Sequence, residues 1–188
     1  MTKTEIEKFL LIEKIIESIG DSPYREGLKD TPNRVKSMWN EVFEGYNLSK
    51  KPTLTFFDNG KDGIKYDEIV CDEGMFYSHC EHHIVPFFGK YYFGYIPGKK
   101  VVGLSKIARL VKWHASRLQV QERLTKDIVD DVWQQLKPRG VILVLKGRHL
   151  CKEMRGIKQQ GEMITSQVRG LFKDKFGVKQ EFFNLIGL

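Results

Sequence analysis

Cysteine is scarce in this chain, with three among 188 residues. So small and odd a number builds no secreted disulfide framework and points to reduced thiols and metal ligation instead. Long apolar runs are missing as well. Glu and Lys interrupt the apolar positions of residues 1–20, so the unbroken core of a signal peptide is absent, and no later run approaches the length that spans a membrane. A cytoplasmic protein with no membrane partner is the expectation. No internal repeat, low-complexity stretch, zinc-finger spacing or RNA-binding signature occurs. The 31 Lys and Arg against 24 Asp and Glu, a formal charge of +7, therefore suit a nucleotide better than a nucleic acid. Most of these charges are spread along the chain and read as solvated surface.

What remains is enough to build a core, since 41% of the residues are hydrophobic and a chain of this length buries most of its surface. Thr4 and Glu7 make a capping-box pattern ahead of Ile6, Phe9, Leu10, Ile16 and Ile19, which predicts a helix ending at Gly20. A second helix is predicted from Thr31-Pro32, with Val35, Met38, Trp39, Val42 and Phe43 on its apolar face and Gly45 at its end. Turn residues fill 47–65 around a strand-like Leu54–Phe57. The division follows as a helical N-terminal extension over 1–48 and a second domain over 49–188.

Beyond Asp67 the apolar period shortens to two. Ile69, Cys71, Met75 to Ser78, and the alternating Tyr91, Phe93 and Tyr95 read as strands. A helix then starts at Ser105, another carries Val120, Leu124, Ile128 and Val132, and Val141–Leu145 is a continuous apolar strand. A last helix is expected over Gln180–Leu185. The class is α+β, with a largely antiparallel sheet and helices to one side.

The chemistry concentrates in two separated clusters, Cys80-Glu81-His82-His83 and His149-Leu150-Cys151. Cys80, His83 and Cys151 offer two thiolates and an imidazole, a donor set that suits zinc, and three protein ligands leave a fourth position for water. A Cys80–Cys151 disulfide is the rival reading, and Cys71 reads as a spectator. His82 and His149 fall beside the ligands. Each can carry protons near neutral pH or orient a ligand from behind.

Three further segments carry polar groups. Ser105, Lys106 and Arg109 at a helix start combine free N–H groups, the positive end of the dipole and two cations, which suits a polyphosphate; an ordinary capped helix is the plainer reading. Gln121 and Glu122 within Gln119–Arg123 could accept and donate along a guanine edge, or mark a solvated helix start. Arg155 could meet a phosphate or a carboxylate of the scaffold.

The segments Cys80–His83, Gly103–Arg109, Gln119–Leu124 and His149-x-Cys151-x-x-x-Arg155-Gly156, in this order and spacing, resemble GTP cyclohydrolase I. The similarity begins at Thr31-Pro32-Asn33-Arg34 and runs to residue 188. The resemblance implies zinc held by Cys80, His83 and Cys151, and an activated water that opens the imidazole ring of GTP at C8 with loss of formate. It implies proton handling by His82 and His149, guanine recognition by Gln121 and Glu122, and triphosphate binding by Ser105, Lys106, Arg109, Arg155 and Arg34. Rearrangement of the ribose and ring closure would give 7,8-dihydroneopterin triphosphate, the first step toward pterins and tetrahydrofolate, with no redox cofactor. It further implies a tunnelling fold with an N-terminal helical extension, in a homodecamer of two pentameric rings with active sites between subunits. Ser37 stands where some relatives carry a lysine, and Gly161–Gln167 is less threonine-rich than in some members.

Two other classes share parts of this pattern. A nucleoside deaminase would also use metal-activated water, but its Pro-Cys-x-x-Cys element is absent. A zinc-stabilised binding module would need a fourth protein ligand, which His82 or His149 could supply.

Overall fold

Residues 3–188 are described by a computed structural model, with side chains from residue 4 onward. The chain forms two compact units, Met1–Glu44 and Gly45–Leu188. In the first, α1 (Lys3–Ser18) and α2 (Thr31–Val42) pack on one another. Among the described side chains of α1, Ile12 and Ile16, one helical turn apart, are the buried ones. Thr4 lies inside α1 rather than capping it. Asp30 is the N-cap of α2 without a side-chain capping bond, so Thr31 is already helical and Pro32 occupies the first turn, where its missing N–H leaves nothing unpaired.

The second unit runs β1 (Phe56–Asp58), β2 (Val70–Cys80), β3 (Pro86–Ile96), β4 (Lys100–Val102), α3 (Leu104–Ala115), β5 (Leu118–Gln119), α4 (Gln121–Leu136), β6 (Gly140–His149), α5 (Leu150–Glu153), β7 (Glu162–Gly170), α6 (Leu171–Asp174) and α7 (Phe176–Leu185). Five strands form one sheet in the order β5-β2-β3-β6-β7, while β1 and β4 pair separately. All pairings are antiparallel except the two-residue β2–β5 contact. The extended segments around Cys71 and Met75–Ser78 are one continuous strand, and β7 covers a stretch that the apolar pattern alone did not mark.

The sheet is covered on both faces, a departure from helices to one side. Phe87, Tyr91, Phe93, Val141, Leu143 and Leu145 point toward Ile107, Leu110, Leu124 and Ile128 of α3 and α4. Their strand neighbours Tyr92, Ile96, Ile142 and Val144 point the other way, onto Phe172 of α6 and Phe182 of α7. Double coverage explains why every residue from Tyr91 to Ile96 is buried and why Val141–Leu145 of β6 reads as an unbroken apolar run. Gly94 lets the second layer in, since a Cβ there would lie 2.6 Å from the Phe182 ring. Burial of Phe172 and Phe182 is worth ~1.5–3 kcal/mol each.

A charged group sits inside this core. Asp131 of α4 accepts from His114 Nε2 at 2.9 Å, from Lys51 Nζ at 2.7 Å and from Gln135 Nε2 at 2.6 Å. Its carboxylate therefore holds α3 to α4 and fastens the segment before β1, because a buried carboxylate persists only when its lone pairs are filled.

Candidate active site

Strand β2 delivers Cys80 at its last position, and the chain reverses through residues 81–85 into β3. Backbone bonds close the reversal, from Cys80 N–H to Val85 O at 2.9 Å and from Ile84 N–H to Cys80 O at 2.8 Å. Ile84 takes φ +56°, a left-handed conformation that a β-branched residue rarely adopts and that costs on the order of 1–3 kcal/mol. The tight reversal folds His83 back, so that its Nδ1 lies 3.9 Å from Cys80 Sγ. From the other side, β6 ends at His149 and the short α5 presents Cys151. One ligand atom from each of Cys80, His83 and Cys151 falls within 4.8 Å of the others.

All three cysteines are free, so the disulfide alternative is not what the structure contains. Burial pushes the Cys151 thiol up from its ordinary pKa, and the neighbouring Cys80 adds to the push. Two adjacent thiols that resist ionising together are a donor pair that a divalent cation neutralises, and with the imidazole they fit a soft or borderline metal such as zinc. His82 Nδ1 is also near, 3.8 Å from Cys80 Sγ, but His82 does not share the three-residue cluster and its side chain is largely exposed.

His149 is placed by register, sheet and helix together. Its backbone pairs opposite Phe87, and the two rings stack at 4.7 Å with an interplanar angle of 5°. Nε2 of the imidazole lies 2.9 Å from Gln121 Oε1. Gln121, the first residue of α4, is fully buried, and its amide nitrogen donates toward Leu145 O at 3.1 Å, Met163 O at 2.9 Å and Thr165 Oγ1 at 3.1 Å. Gly147 makes room for it, because a Cβ there would sit 2.3 Å from Gln121 Oε1. Burial pushes the His149 imidazole down from its ordinary pKa, against the opposing pull of Glu122.

The Gln121 side chain is enclosed, and its amide bonds to groups within the chain. Glu122 beside it is exposed. Both residues, with Arg123, lie in the first turn of α4 rather than ahead of it. Arg123 donates to the Glu81 carboxylate on the hairpin, to Gln119 Oε1 at 2.9 Å and to Leu118 O at 3.3 Å. The motifs include Glu81 and Arg123 but assign them no role, and Phe87, Gly147 and Thr165 stand outside the roles that the motifs imply. Gly147 follows the apolar run Val141–Leu145 between Lys146 and Arg148, and a glycine inside a strand is a local signal of close approach.

The basic residues fall elsewhere. Gly103 caps α3 without a side-chain bond, so Ser105 is the second helical residue and not the cap. Ser105 and Lys106 line a cavity of about 820 Å³ together with Asp72, Gly74 and Tyr91, and Arg109 is exposed one turn further along α3. Arg155 is exposed just past α5. Arg34 lies on α2 in the first unit, 3.8 Å from Asp30.

A family model described as GTP cyclohydrolase I matches residues 10–187. This chain belongs to the GTP cyclohydrolase I family. Among its curated relatives, the GTP cyclohydrolase 1 of Wolinella succinogenes is 47% identical over 177 residues, covering 93% of each chain. The GTP cyclohydrolase 1 of Halalkalibacterium halodurans is 46% identical over 191 residues, covering 99% of each. A solved structure, the archaeosine synthase QueF-Like in the apo form, aligns with 55% of this chain and 96% of its own at a TM-score of 0.42 and 17% identity. Among the described residues of this GTP cyclohydrolase I family member, no helix is long and apolar enough to cross a membrane.

Proposed function

We propose that this protein opens the imidazole ring of GTP at C8, releases formate, and recloses the rearranged product as 7,8-dihydroneopterin triphosphate. The observation that carries this reading is the convergence of Cys80, His83 and Cys151 donor atoms, drawn from two distant segments, with His149 two residues before Cys151 at the end of β6. Cys80, His83 and Cys151 hold zinc, which when bound supplies a Lewis acid and water activated for attack at neutral pH. Glu122 presents its exposed carboxylate to the N1–H and exocyclic amine of guanine, two donors that one carboxylate matches. His82 and His149 exchange protons with the purine ring nitrogen and the ribose oxygen as the ring opens. Ser105, Lys106, Arg109, Arg155 and Arg34 take the triphosphate. The cell compartment is the cytoplasm.

The position of Ser105 and Lys106 supports a site completed by a second copy. They share a cavity with Gly74, six residues before Cys80 on β2. At about 3.3 Å per residue that separation is roughly 20 Å, too far for one nucleotide to meet both in one chain through its phosphates and its C8. The sheet also ends in β7, which among the described residues pairs with β6 alone. Copies that join such edges would both protect them and bring the phosphate cations of one chain to the metal donors of another. A homodecamer of two pentameric rings satisfies this requirement.

The test is direct. Zinc-loaded protein incubated with GTP, then oxidised and dephosphorylated, is expected to yield neopterin fluorescence together with an equivalent of formate. Formation of neither product overturns the assignment.

A further inference from the structure

We infer that Gln121 is a positioning residue for His149 that fixes the neutral imidazole as the Nε2–H tautomer, leaving the free lone pair on Nδ1. This deepens the proposed reaction and rests on it for the role of His149, but its structural content stands on hydrogen-bond geometry alone.

The orientation of the Gln121 amide is dictated by what surrounds it. Its nitrogen faces two backbone carbonyl oxygens, Leu145 O at 3.1 Å and Met163 O at 2.9 Å, which only accept. Thr165 Oγ1, 3.1 Å away, is itself shared with Thr125 Oγ1 at 2.6 Å, and Thr125 Oγ1 lies 2.6 Å from Gln121 O. Turning the amide over would set its oxygen against both carbonyls, at a position where Gln121 is 0% exposed and bulk solvent cannot compensate. The amide oxygen is therefore committed to the opposite side, 2.9 Å from His149 Nε2. An amide oxygen has no hydrogen to give. Nε2 must carry the hydrogen, and in a neutral imidazole Nδ1 then has the free lone pair.

The ring cannot easily escape this arrangement. Phe87 stacks on it at 4.7 Å and 5°, and the close passage of Gln121 over Gly147 leaves no space for the amide to swing toward β6. The same commitments hold the Gln121 side chain inside the chain, while Glu122 beside it is exposed. A side chain that holds a catalytic imidazole in one tautomer acts on turnover rather than on binding.

Two measurements separate the outcomes. Neutron diffraction from deuterium-exchanged, zinc-loaded wild-type protein at mildly alkaline pH reads the tautomer without turnover. Deuterium on His149 Nε2, with the Gln121 amide deuteriums toward Leu145 and Met163, is expected; deuterium on Nδ1 alone, or a reversed amide, overturns the inference. Gln121→Met keeps the bulk and deletes both polar atoms. In that variant kcat is expected to fall about 10- to 100-fold while the equilibrium Kd for GTP stays within about 2-fold. A Kd that rises as far as kcat falls would place Gln121 on the guanine and overturn the positioning role. If the variant does not fold, diffraction from the wild-type protein still distinguishes the two tautomers, and it does so whether or not GTP is the substrate.

Discussion

Arg123 donates to the carboxylate of Glu81, a bond between the first turn of α4 and the hairpin that carries Cys80, His82 and His83. The guanidinium holds the Glu81 carboxyl below its usual range. Because Arg123 also donates to Gln119 Oε1 and Leu118 O, and Gln119 Nε2 to His114 O at 3.1 Å, the hairpin is tied through one side chain to the α3–α4 layer. Both partners of the Arg123–Glu81 pair are more than 30% exposed, at 44% and 33%, so the pair contributes little to global stability. Its consequence is local geometry. Arg123→Gln is expected to leave the melting temperature nearly unchanged and to lower zinc affinity or kcat/KM by about 10- to 100-fold. Zinc competition with a chelator and steady-state kinetics check this, and an unchanged affinity together with unchanged kinetics would remove the hairpin-holding role.

Cys151→Ser is expected to lose zinc and activity together, since one of three clustered donors is gone. His82→Ala is expected to keep zinc and lose activity by about 100-fold or more, the range for removal of a proton-transfer group. Metal analysis after gel filtration separates the two. A metal-free His82 variant would show that His82, only 3.8 Å from Cys80 Sγ, belongs to the ligand set.

Mixing two inactive variants tests whether sites are shared between copies. Cys151→Ser spoils the metal donors and Lys106→Gln the phosphate cavity. If each site takes one set from each of two chains, co-expressed variants in random equal mixture regain about a quarter of wild-type activity. No recovery in mixed oligomers would place both sets in one chain.

Gly147→Ala adds a Cβ whose nearest neighbours are Gln121 Oε1 at 2.3 Å and Phe76 Cζ at 3.2 Å. Displacing the buried amide should cost about 1–3 kcal/mol in denaturant unfolding. Activity at low temperature, where the variant stays folded, should fall further than that stability loss accounts for, because His149 loses its partner.

Acid unfolding should report Asp131. Burial works to raise the pKa of its carboxyl, but hydrogen bonds from His114, Lys51 and Gln135 outweigh burial and hold the folded-state value below the ordinary 3.8. A depressed folded pKa means the stabilisation is complete above the unfolded value and is lost as pH falls from about 3.8 toward the folded one. Lys51 is partly exposed and its share is screened, so the buried His114 contact dominates. Asp131→Asn is expected to cost about 3 kcal/mol at neutral pH and to flatten the dependence of stability on pH in this acid range. Equal slopes for both proteins would show that other carboxylates govern it.

Helix–strand order was legible because burial imposes periodicity. Val120, Leu124, Ile128 and Val132 repeat at helical spacing, and each is either buried on α4 or, for Val120, its N-cap. The strand at Val141–Leu145 could be read for the same reason. Its two-sided burial could not be traced to a partner, since the covering residues Phe172 and Phe182 come from short helices with no clear face of their own. Strand β7, with exposed Ile164 and Glu162 on it, lacked a buried stripe to announce it. Local cap chemistry also misled at Ser105 and Thr31. Both residues are already helical, and the caps lie upstream at Gly103 and Asp30, where backbone geometry rather than a side-chain bond sets the start.

The sequence by itself determined the donor types, their grouping into two clusters and the family that carries this pattern, because ligand chemistry and motif spacing are properties of residue identity. Only the tertiary structure decided that Cys80, His83 and Cys151 donor atoms converge within 4.8 Å, that Gln121 turns inward to His149, and that Arg123 ties down Glu81. Those facts depend on strand register and on which rotamer a packed interior allows. Neither is encoded locally, since each contact joins residues 28 or more positions apart, except the turn that brings His83 back to Cys80.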